Sequence, residues 1–242
     1  MMPMLTLHRP RRHQGFTLIE LMVAITIGML VVASAVGVFA NIKLTYVNQN
    51  TQVQMQDAQR QAVAMLTTTV QAAGYFVNPG LTTRSDALPA SSTANADGTT
   101  FASGQIVSGT DGSTNDTLNV RFQTASGDGV FNCNGGTNST GYAQVYINAF
   151  AVNTSNELTC SVNGGTAFPI LSGVASMVVE YGLDRTDSDN DFTYNPRVDT
   201  YLNATNVASL GLWNRVLTVR VTLNFVNGNQ SWVQVINLMN QV

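Results

Sequence analysis

The sequence predicts an α+β fold in which one long N-terminal helix, transmembrane and then amphipathic, packs on an antiparallel β-sheet. Three observations predict it. An uncharged, apolar run extends from Leu21 past Ala40, with no charge before Lys43. Behind it, Asn41 to Ala73 holds neither proline nor glycine. From Thr117 onward the apolar residues recur at every second position instead of every third or fourth, the change from helix to strand.

The first part of the helix is apolar all round. Roughly 20 residues at about 1.5 Å each cross a bilayer core, so Leu21–Ala40 is long enough to span. Gly28 and Gly37 lie inside it, as sites of close helix packing or a kink, or simply as tolerated small residues. The second part is rich in Gln, Ala and Met, all helix formers. Its stripe of Met55, Ala58, Ala62, Leu66, Val70 and Ala73 needs a covering domain, while Gln52, Gln56, Asp57, Gln59, Arg60 and Gln71 take the opposite face. Gly74 and Pro79 end the helix.

Val77 to Asn115 is poor in apolar residues and reads as an irregular surface connection with a short strand around Phe101–Val107. Leu118, Val120 and Phe122 alternate with Asn119, Arg121 and Gln123, as a half-buried strand does. Tyr142–Val152 and Glu157–Val162 make a hairpin. Val174–Leu183 is a further strand. Arg215–Phe225 and Ser231–Met239 form a last hairpin around the tight-turn pair Asn227-Gly228. The expected organisation is a leader at 1–15, a transmembrane segment at 16–40, an amphipathic helix at 41–74 and a β-rich globular domain at 75–242.

Composition excludes several activities. Charged residues are 10% of the chain, well under the roughly 25% of ordinary soluble domains, so the surface is polar but weakly charged. Three of the 11 basic residues precede Gly15, and the 8 that remain face 14 acids, a net −6. That balance offers no basic patch for nucleic acid. Both histidines, His8 and His13, also precede Gly15. Without histidine, neither Ser-His-Asp nor Cys-His catalysis nor His-ligated zinc is available. Glu157 and Glu180 show no acid/base spacing, so no enzyme is expected. Cys133 and Cys160, an even pair in an exported domain, read most simply as a disulfide. Closing that loop contributes roughly 3–4 kcal/mol in the chain-entropy account.

The N-terminal motif carries the function. Arg9, Arg11 and Arg12 precede Gly15-Phe16-Thr17-Leu18-Ile19-Glu20-Leu21, and the apolar run follows. The basic residues would stay cytoplasmic. A secretory signal is cut after its apolar region; here the processing point, Gly15, lies before it, so the apolar run is retained. Glu20 is a lone carboxylate at the start of that run, which costs about 2.5–3.5 kcal/mol in lipid and calls for a partner. This motif resembles the type IV pilin and type II secretion pseudopilin superfamily. The resemblance implies cleavage between Gly15 and Phe16 by a prepilin peptidase, methylation of the new Phe16 amine, and a role for Glu20 in subunit assembly. The amine of a neighbouring subunit's Phe16 is a suitable partner for Glu20.

Asp187, Asp189 and Asp191 alternate in a loop, with Asp199 following. Such spacing can converge oxygen ligands on Ca²⁺, as in the first half of an EF-hand loop, although the central Gly and terminal Glu of that motif are missing. A solvated turn of turn-forming residues is the other reading. Glu180-Tyr181-Gly182 running into this loop, then Trp213-Asn214-Arg215 and Val219-Arg220-Val221, resembles the C-terminal part of PilW-type minor pilins. The likeness leaves Val77 to Gly165 unmatched. It implies a minor pilin in the inner membrane, with its globular domain in the periplasm and then on the fibre at the cell surface. Its implied partners are other minor pilins, the major pilin, the prepilin peptidase, the assembly platform and membrane lipid. A J-type-like pseudopilin and an adhesive tip subunit using Val77–Asn115 are the alternatives.

Overall fold

The structure, a computed structural model, describes residues 15–91, 93, 95–184, 197–226 and 231–240. The chain forms two compact units, Met1–Gln56 and Asp57–Val242. Helix α1 (Leu18–Gln71) supplies the regular structure of the first unit among the described residues, and its last turns belong to the second.

In the first unit every described residue up to Gln54 is exposed. Phe16, Leu18, Leu30 and Phe39 are each at least 70% exposed. The hydroxyls between Leu21 and Ala40 turn back on the helix. Thr26 Oγ1 donates to Val23 O at 2.9 Å and Ser34 Oγ to Val31 O at 2.8 Å, so neither presents an unmet polar group sideways. Among the described residues, α1 is the one helix long and apolar enough to cross a membrane.

The second unit holds two antiparallel sheets rather than the single sheet expected. The first is ordered β1-β2-β3-β4-β5, with β1 (Val107–Ser108), β2 (Leu118–Thr124), β3 (Gln144–Val152), β4 (Glu157–Val162) and β5 (Phe168–Ser172). The second is ordered β7-β6-β8-β9, with β6 (Val174–Leu183), β7 (Thr200–Leu202), β8 (Val216–Phe225) and β9 (Ser231–Asn237). The chain changes sheet at Gly173, whose φ of +81° is open to glycine and strained for other residues. Two short helices, α2 (Arg84–Ala87) and α3 (Ala204–Leu210), complete the unit.

The expected hairpins are present. β3 and β4 pair with Phe150 opposite Cys160, and β8 and β9 pair with Val219 opposite Ile236. The Asn227-Gly228 turn lies outside the described residues. Between β3 and β4, Asn153 Oδ1 accepts from the backbone N–H of Glu157 at 2.9 Å, and Asn156 turns the chain with φ +58°.

The core joins the last turns of α1 to both sheets: Ala62, Leu66, Val70 and Ala73 pack among Val120, Phe150, Met177, Val221 and their neighbours. The predicted stripe is thus buried only from Ala62 onward. Met55 is half-buried and Ala58 exposed, because the strands cover no more of the helix than that. Gly74 stops the helix with φ +80°; a Cβ there would lie 2.9 Å from Asn240 O, while its N–H donates to Arg121 O at 2.9 Å.

Two expectations about the middle of the chain need correction. The segment from Val77 to Asn115 is irregular, but it is not merely a surface connection: Ala87, Leu88, Phe101, Ile106 and Val107 are buried. The strand expected around Phe101–Val107 is limited to the two residues of β1. The segment lies over the polar side of β2, so that β2 is buried on both faces rather than half-buried, with Asn119 and Arg121 enclosed.

Substituting Leu66→Ala should cost about 2–5 kcal/mol, the usual result of emptying a fully buried leucine site. Val53→Ala, on the exposed stretch, should stay within about 0.5 kcal/mol. Denaturant titration of the detergent-solubilised chain, followed by tryptophan fluorescence, measures both.

Candidate functional site

At the N-terminus, Thr17 precedes the first helical residue and Glu20 lies three positions on. Thr17 N and Thr17 Oγ1 each donate to Glu20 Oε2 at 3.1 Å, and Glu20 N donates to Thr17 Oγ1 at 3.4 Å. This is a reciprocal capping box, which satisfies free N–H groups at the helix start while the carboxylate favours the positive end of the dipole. The sequence reading assigned Glu20 to a neighbouring subunit and missed this local role; the Thr-x-x-Glu spacing was the signal for it. Gly15, Phe16 and Glu20 are all exposed, and Glu20 Oε1 accepts no hydrogen bond among the described residues.

Cys133 and Cys160 form the expected disulfide, with Cα atoms 6.4 Å apart and a sequence separation of 27. The bond fastens the Gly/Asn-rich loop to β4. Cys133 N also donates to Asn148 Oδ1 on β3 at 2.8 Å, so the loop is held at two strands. The candidate Ca²⁺ ligands Asp187, Asp189 and Asp191 lie outside the described residues. Among the described residues no cluster of three His, Cys, Asp or Glu is arranged to hold a metal.

The acids of the connecting segment act as internal fasteners. Asp97 accepts from Thr117 Oγ1 at 2.5 Å, Asn119 Nδ2 at 2.6 Å and Thr99 Oγ1 at 2.7 Å. Burial works to raise its pKa, but these donors outweigh burial and hold the carboxyl below its ordinary 3.8. Asp116 accepts from Val179 N at 2.8 Å and Gly112 N at 3.1 Å; burial, with Asp111 and Glu180 nearby, raises it. Asp111 accepts from Ala204 N and Thr205 N, both at 2.8 Å, where α3 begins.

Arg121 is the centre of this half of the molecule and is 2% exposed. Its Nε donates to Gln105 O at 2.5 Å, Nη1 to Pro89 O at 2.6 Å, and Nη2 to Ala102 O at 2.6 Å and Leu88 O at 3.1 Å. The guanidinium carbon sits 4.7 Å from the centroid of the Phe101 ring. Burial lowers its pKa to about 10, which leaves it charged at neutral pH. Alternation alone had placed this side chain in solvent.

The comparisons with known proteins fall on both ends of this architecture. Residues 10–36 match the model of the prokaryotic N-terminal methylation motif, and residues 136–232 match that of the type IV pilus-assembly protein W. The second match begins upstream of the Tyr-Gly strand and takes in the β3–β4 hairpin that the sequence resemblance had left unmatched. No curated protein matches the chain. A type IV-like pilin from Thermus thermophilus has 12% identity and a TM-score of 0.44, over 77% of this chain and 96% of its own. A likeness that distant adds nothing to the two model matches. The chain thus carries the N-terminal methylation motif of type IV pilins and, over residues 136–232, a domain like that of the type IV pilus-assembly protein W, the two parts of a type IV minor pilin.

Asp97→Asn should destabilise the fold by about 1–3 kcal/mol at pH 7, because buried donors lose a charged acceptor. The folded pKa of Asp97 lies below 3.8, so its contribution is present above that pH and lost as pH falls through the folded value. The stability gap between wild type and variant should therefore close below about pH 3.8, as denaturant titration across pH would show.

Proposed function

We propose that this minor pilin belongs to the complex that initiates or tips a type IV pilus. A prepilin peptidase cuts it between Gly15 and Phe16 and methylates the Phe16 amine. The observation that carries this reading is the start of the helix of the first unit: apolar from Leu21 to Ala40, exposed throughout that run, and preceded by one carboxylate four residues from Phe16. Such a surface requires lipid before assembly and neighbouring helices after it.

In this reading the helix sits in the inner membrane with the β unit in the periplasm, until the assembly platform moves the subunit into a fibre. Glu20 then acts through Oε1. The capping bonds occupy Oε2, and the remaining oxygen accepts from the methylated Phe16 amine of a neighbouring subunit. The neighbours are other minor pilins and the major pilin. The work is structural, with no catalysis by the chain itself. The two-sheet unit, closed by its own core and disulfide, supplies partner-specific surface.

A deletion strain tests the assignment. Surface fibres are counted by electron microscopy, with the secreted proteins of the same culture run alongside. Few or no pili with normal secretion is the expected result, and complementation with Glu20→Ala should restore pili poorly although the variant reaches the membrane. Lost secretion with intact pili would instead identify a J-type-like pseudopilin. Loss of neither, with reduced adhesion, would identify an adhesive tip subunit.

A further inference from the structure

We infer that the groove beside Arg121 is a binding site for a small carboxylate ligand of about monosaccharide or dipeptide size. The groove has a volume of about 370 Å³. That lies at the lower end of the roughly 300–1,000 Å³ typical of small-molecule pockets. One wall is the connecting segment at Pro89 and Ala90; the other is β3, at Val145 and Ile147, with Asn163 at the turn after β4. Strand register places Arg121 directly opposite Ile147, so the guanidinium borders the groove from its floor.

Charge selects the ligand class. All four acceptors around Arg121 are neutral carbonyls, and among the described residues no carboxylate pairs with it. The four bonds leave one of the five guanidinium N–H groups, on Nη1, without an acceptor among the described residues. Asn163 contributes a second donor. Its Oδ1 accepts from Ile147 N at 2.7 Å, which turns the amide so that Nδ2 has no acceptor among the described residues. A buried cation attracts an anion far more strongly than an exposed one does, and a carboxylate is, with phosphate, among the anions a guanidinium pairs with best. The aliphatic walls suit the carbon skeleton of such a ligand. An acidic sugar and a short peptide's terminal carboxylate share this chemistry.

The test uses the full chain in detergent micelles and titration calorimetry with two matched pairs of probes. These are glucuronate against glucose, and N-acetyl-alanyl-alanine against its C-terminal amide. At least one carboxylate should bind with a Kd in the millimolar range or tighter, and its neutral counterpart about tenfold or more weakly. Which pair responds identifies the source of the carboxylate. Ala90→Trp, at an exposed position on the wall, should abolish binding while the melting temperature stays unchanged. This variant avoids altering Arg121, which the fold itself needs. Equal binding of charged and neutral probes, no binding of either carboxylate, or undiminished binding by a folded Ala90→Trp would each overturn the inference.

Discussion

The constraint on which the rest depends is the uncovered apolar surface of the first unit. From Phe16 to Val53 the large apolar side chains are about half exposed or more. At about 25 cal/mol per Å² of apolar surface, no arrangement of that helix alone in water is tolerable. The helix therefore needs an apolar environment around it, and the proposed assembly has it exchange lipid for other subunits. Its polar atoms are arranged for that exchange. Thr26 and Ser34 close on backbone carbonyls, and the capping box at Thr17 and Glu20 covers the first turn while leaving one carboxylate oxygen open. A membrane segment that only anchored would gain nothing from that open oxygen. In the proposed assembly, a segment that must find a register against neighbouring helices would gain a directional bond there.

The second unit meets the opposite requirement, because it closes its own core. The last turns of α1 supply one wall and the two sheets the others. Much of what remains polar inside is held by short internal bonds. Arg121 is the clearest case: a charge taken out of water is costly unless hydrogen bonds replace its hydration. Here four backbone carbonyls from otherwise irregular chain converge on it, so a segment with little regular structure is fixed over β2. Asp97, Asp111 and Asp116 do the same at other points of that segment, binding it to β2, β6 and α3. The disulfide then holds the Gly/Asn-rich loop between β2 and β3. A unit fastened in this way can present a defined surface.

Much of this was legible in the sequence because the decisive signals are local. The processing motif, the apolar run, the proline-free helix and the alternation of Val219, Val221, Leu223 and Phe225 all depend on neighbours along the chain. The failures are tertiary. Asn119 and Arg121 alternate with apolar residues as solvent-facing positions do, and only the segment folded over them makes them interior. The division into two sheets turns on one positive φ at Gly173, and glycines are too common here to mark that one in advance. The stripe on α1 was read as continuous from Met55, but periodicity cannot say where the covering strands stop. The capping role of Glu20 was visible in its spacing from Thr17 and was passed over because a carboxylate in an apolar run directs attention to distant partners.

The central claim is that the apolar helix is kept and used, not discarded after export. It is tested most directly by N-terminal sequencing and intact mass of the protein recovered from membranes and from sheared surface fibres. The expected form begins at Phe16, carries one N-methyl group and retains the apolar run in both fractions. A soluble form beginning beyond Ala40 would contradict it, because the helix would then be a conventional export signal and assembly would have to rest on the β unit alone.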